Sequence, residues 1–102
     1  MAAKDSVEKT QEEIIKEIAK ALGHTGYLLD AVLEEMKQLE YKMARTIEKD
    51  DYNNLVEKFN MKRQEALFRR DMLIIHREAI GVRQHKFLDK YYPVPGKKKK
   101  RT

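Results

Sequence analysis

From Ile15 to Met43 the chain repeats in alternating steps of three and four: Ile15, Ile18, Leu22, Thr25, Leu29, Val32, Met36, Leu39 and Met43. That spacing is a heptad seam, the pattern of a helix laid against another helix. It crosses Gly23 and Gly26 without losing phase, so it predicts one locally weakened helix over residues 6–48 rather than two. Asp5-x-x-Glu8 and Thr10-x-x-Glu13 offer capping oxygens near its start, and residues 1–5 read as a disordered lead-in. Lys49-Asp50-Asp51-Tyr52-Asn53-Asn54 is the one cluster of turn formers before the C-terminal region, which places a turn at 49–53. Asn54-x-x-Glu57 then caps a second helix over 54–91. Tyr92-Pro93-Val94-Pro95-Gly96 ends it, because proline cannot continue a helix and biases the residue before it toward extended backbone. Residues 93–102 follow as an extended stop and a solvated, unstructured basic tail. At ~1.5 Å per residue each helix spans roughly 55–65 Å.

The two seams fit each other. With the turn centred near Asp51, Ile47 falls opposite Leu55, Met43 opposite Phe59, Met36 opposite Ala66, Leu29 opposite Leu73, Leu22 opposite Ile80 and Ile15 opposite Phe87. One assumption thus yields a run of apolar pairs. The expected fold is all-α, a long antiparallel helical hairpin of coiled-coil character.

A surplus of apolar residues remains. Leu67, Phe68, Met72, Ile74, Ile75 and Val82 fall off the seam, as do Ile14, Leu28, Leu33 and Tyr41 on the first helix. A second apolar stripe usually marks an interface. Burying four or five such side chains is worth several kcal/mol at ~25 cal/mol per Å², comparable to the stability of a small domain. A second identical hairpin covers it most simply, giving a homodimeric four-helix bundle. A helix of another protein is the next choice, and a folded-back end of the same chain the third.

Composition narrows the class. Charged residues are 38% of the 102, against a usual quarter, and apolar residues 41%. This balance suits amphipathic helices with broad solvated faces. Cysteine is absent, which removes disulfides and thiolate metal sites. No run approaches the ~18 apolar residues of a membrane span, and Met1 to Lys9 does not read as a secretory signal. The cytoplasm is the expected compartment, or the nucleus in a eukaryote. The net charge of +5 is uneven: Met1 to Asp51 holds 8 Lys/Arg against 12 Asp/Glu, and Tyr52 to Thr102 holds 14 against 5.

Candidate chemistry is sparse. The register sets His76 opposite Thr25 and Gly26, close to His24, so a metal or anion could sit between the two histidines. The plainer reading is that the glycines make room for a bulky side chain. No glutamate stands three residues before His24, His76 or His85, as a di-metal carboxylate bundle requires. The only serine is Ser6, and neither a nucleophile elbow nor a phosphate-binding loop occurs. The expectation is a non-enzymatic interaction module without a cofactor, self-associating and docking a partner through residues 67–82. The alternative is a nucleic-acid-associated accessory protein. Lys97-Lys98-Lys99-Lys100-Arg101 resembles a monopartite nuclear import signal and suits RNA, DNA or an anionic membrane surface equally.

Overall fold

The structure is a computed structural model that describes residues 2–102, with side chains from residue 8 onward. Three helices follow one another: α1 over Ala2–Arg45, α2 over Lys49–Ala79 and α3 over Lys86–Tyr91. The two long helices pack against each other as an antiparallel hairpin, and the molecule measures 72 × 20 × 16 Å. No helix among the described residues is long and apolar enough to cross a membrane.

α1 is continuous through both glycines, as the unbroken seam predicts. Neither has a positive φ. Gly26 is the more crowded of the two: a Cβ there would lie 3.2 Å from the hydroxyl of Tyr92, which leans against the helix. Residues 2–5, expected outside the helix, are helical. Met1 lies outside the described residues, as does the capping side chain expected at Asp5. Thr10 lies two turns inside the helix and so is not its cap.

The turn comes earlier than the turn formers suggest. Glu48 caps α2: its carboxylate accepts from the backbone N–H groups of Asp50 at 2.9 Å and Asp51 at 2.7 Å. Those N–H groups hold the Glu48 carboxyl below its ordinary value. Asp50 and Asp51, read as turn residues, instead occupy the first helical turn, where the helix dipole favours negative charge. Asn54 therefore sits inside α2 and caps nothing.

The outermost pairs are spoiled, at one end by the earlier turn and at the other because α2 ends at Ala79, and the central ones are kept. Ile47 is 93% exposed and Ile15 60%. The six residues of the pairs Met43/Phe59, Met36/Ala66 and Leu29/Leu73 are all buried, together with Val32 and Val56. Lys62 bridges the helices on one side by reaching Glu35 at 2.6 Å. At the far end Thr25 meets His76, as the register predicts, with Oγ1 3.0 Å from Nδ1. The Thr25 hydroxyl donates to the Ala21 carbonyl at 2.8 Å, so the ring nitrogen must be the donor in that pair.

The second helix does not run to Tyr91. It stops at Ala79, where Gly81 takes φ +89° and a Schellman closure forms. The Val82 N–H donates to the Arg77 carbonyl and the Gly81 N–H to the Glu78 carbonyl, both at 3.0 Å. Arg77 straps the turn: its Nη2 donates to the Gln84 carbonyl and its Nε to His85 Nδ1, while the guanidinium lies 4.0 Å from the Phe87 ring. With Nδ1 accepting, His85 Nε2 is left to donate to Glu78 at 3.2 Å. The chain then reverses. Short α3 drives Leu88 wholly into the core, and Tyr92 and Val94 pack beside it. The folded-back end, the third choice from sequence, covers one side of the hairpin. A second hairpin completing a four-helix bundle is not part of this single-chain structure.

Candidate functional site

The most elaborate arrangement lies where the sequence suggests only a free tail. Pro93 to Arg101 runs extended along the groove between α1 and α2, antiparallel to α2, and ends beside the hairpin turn. Its backbone is gripped at every third residue. Arg63 Nε donates to the Pro95 carbonyl at 2.8 Å. The Asn60 side chain makes a pair of bonds with Lys98, accepting from its N–H at 2.9 Å and donating to its carbonyl at 3.1 Å. Asn53 repeats the pair at Arg101, at 2.7 and 3.0 Å.

The spacings match. Asn53 and Asn60 are two helical turns apart, about 10.5 Å, and three residues of polyproline II cover about 9.3 Å. A three-residue repeat also returns successive contacts to the same side of such a strand, and Pro93 and Pro95 favour that backbone.

Side chains add charge to this backbone clamp. Lys98 reaches Glu40 at 3.3 Å and passes 5.2 Å from the centre of the Phe59 ring. Lys100 pairs with Glu57, and its hydrogen bond and positive charge hold the Glu57 carboxyl below the ordinary value. The Arg101 guanidinium stacks 3.7 Å above the Tyr52 ring and donates to the Thr46 carbonyl. Arg70 pairs with Asp89 of α3, tying the start of the returning segment. Of the five expected tail cations, Lys98, Lys100 and Arg101 contact the hairpin, although of the five only Lys98 is half-buried and the other four are exposed. The expectation of a solvated, unstructured tail is thereby corrected: two asparagines and two carboxylates on the hairpin match its backbone and its charges.

The expected apolar interface divides into two adjacent lines on α2. Asn53, Asn60, Leu67 and Ile74 are seven apart and share the strap face; Leu67 and Ile74 are half-buried there, Ile74 packed against the core. One residue further round, Met61, Phe68 and Ile75 form a second seven-residue line, 73%, 58% and 55% exposed. Met72 falls between Phe68 and Ile75 on the same side, half-buried. Val82 lies past the end of α2, in the turn. Met61 was not singled out from the sequence, yet its spacing to Phe68 gives it away. Beside Phe68, the buried Nε of Arg69 has no hydrogen-bond partner among the described residues.

His24 is exposed and His76 is bonded to Thr25. Among the described residues no three metal-binding side chains converge. Set against known proteins, the chain matches no family model, no curated protein and no solved structure.

Proposed function

We propose that the protein is a non-enzymatic helical interaction module that self-associates through the outer face of α2. The observation that carries this reading is the exposed line Met61, Phe68 and Ile75, reinforced by Met72. Two copies meeting antiparallel along it form a four-helix assembly, with Phe68 at the two-fold axis and Met61 of one copy opposite Ile75 of the other. Both flanking residues are seven positions from Phe68, so a single two-fold satisfies the whole line.

Magnitudes set the strength. Fully burying a Met, Phe or Ile side chain is worth about 1.5–3 kcal/mol. These are roughly half exposed, so eight of them across two copies give on the order of 8 kcal/mol. Association costs about 4 kcal/mol at the least. What remains, about 4 kcal/mol, fits weak reversible dimerisation with a Kd on the order of a millimolar. The docked tail weighs against a nucleic-acid function, since three of its five cations already face carboxylates, an aromatic ring or a carbonyl.

Sedimentation velocity across 5–500 µM tests the proposal. The expected result is a concentration-dependent dimer in the native chain and a monomer of unchanged helicity in Phe68→Glu. A native chain that stays monomeric at 500 µM sinks it.

A further inference from the structure

We propose that the groove between α1 and α2 is a recognition site for extended, arginine-bearing peptide segments of another protein, and that the chain's own tail is a built-in competitor occupying it. This surface is distinct from the Met61–Ile75 line, and the proposal does not rest on self-association.

The case starts from the kind of contact the groove makes. Asn53 and Asn60 each bind the backbone of one tail residue through a donor and an acceptor, and Arg63 binds a third carbonyl. Such contacts identify an extended strand without reading its side chains; they therefore serve any segment that holds the polyproline repeat. Selectivity comes from three side-chain seats. Glu40 and Glu57 each take a cation, and the Tyr52 face takes a guanidinium. The site thus selects an extended strand with cations at the positions of Lys98, Lys100 and Arg101.

The tether decides the source. A segment joined to its site by a short linker competes at an effective concentration on the order of millimolar. A second copy's tail has the same intrinsic affinity and, at micromolar concentration, loses to the tethered one. Only a segment that binds better than the tail can displace it. The seats show how: lysine offers a carboxylate a single ammonium point, whereas arginine can engage both oxygens in a fork. The fitting ligand therefore carries arginine where the tail has Lys98 and Lys100.

The test uses the full-length chain with Lys98→Glu, Lys100→Glu and Arg101→Glu. These exposed or half-exposed changes turn the tail against Glu40 and Glu57 while leaving every groove residue in place. Two labelled synthetic peptides serve as probes, one with the sequence of residues 93–102 and one with arginine at the positions of Lys98 and Lys100. Fluorescence anisotropy is expected to show micromolar binding of the arginine peptide to the charge-reversed chain. The lysine peptide should bind several-fold more weakly, and the native chain should bind the arginine peptide at least tenfold more weakly than the charge-reversed chain. Adding Asn53→Ala and Asn60→Ala to the charge-reversed chain should lower affinity at least tenfold. Two outcomes overturn the proposal. One is a charge-reversed chain of native helicity that takes neither peptide. The other is binding that survives both asparagine changes, which is simple charge attraction.

Discussion

Single residues carry much of the difference between this chain and a generic hairpin. Gly23 and Gly26 look alike in the sequence and differ in what surrounds them. A Cβ on Gly23 meets open space, whereas one on Gly26 comes 3.2 Å from the Tyr92 hydroxyl. Gly23→Ala should raise stability by about 0.8–1 kcal/mol, the helix-propensity gain. Gly26→Ala should gain less or lose, as Tyr92 must shift to admit the methyl; paired urea titrations measure both. Asn60 is the sharper case. Asn60→Ala removes two hydrogen bonds to the tail, costing roughly 1–3 kcal/mol. Amide exchange at Lys98 and its neighbours should speed up, with little change at the core residues of α1. In the sequence Asn53 reads as a turn former with Asn54, and Asn60 carries no signal of its own. Asparagine's turn preference hid its use as a backbone clamp seven residues from another asparagine.

At the level of elements, what was legible is what hydrophobic period encodes: two long helices, their mutual face, and the meeting of Thr25 with His76. The ends were not legible, because they depend on short-range backbone chemistry. Glu48 is not a usual capping residue, yet it caps α2 by bonding two N–H groups. Gly81 stops α2 because φ +89° suits glycine far better than other residues. Misplacing that stop made α3 part of one long helix and left the strap without a cause. Leu88 shows how much hangs on the short element. It is completely buried, and Leu88→Ala should cost about 2–5 kcal/mol. The expected result is early melting of the returning segment, seen as faster amide exchange over residues 86–101, with most α1 and α2 helicity retained. Acid should act on the same joints. Glu48 and Glu57 both lie below their ordinary value of 4.5. Their charged forms therefore contribute stability that is complete above pH 4.5 and lost as pH falls through the lowered values. Urea midpoints from pH 7 to pH 3 should fall less steeply in Glu48→Gln/Glu57→Gln than in the native chain.

For the whole molecule, the strap divides the surplus apolar surface between internal and external use. Leu67 and Ile74 are half-buried, Ile74 against the core; Met61, Phe68 and Ile75 stay outside. Separating the two roles by mutation should be possible: Asn60→Ala is expected to loosen the tail without weakening any dimer, and Phe68→Glu to do the reverse, read by amide exchange and sedimentation respectively. The sequence could not make this division, because a line of period seven reads the same whether its neighbour is a strap or water. Direction of travel has its own consequence. Because the strap runs alongside α1 in the same sense, Arg101 comes to rest by Thr46, at the opposite extreme of a 72 Å rod from the first turns of α1. Groups fused at residues 8 and 102 are thus held apart like the tips of calipers, and letting go of the strap slackens one jaw.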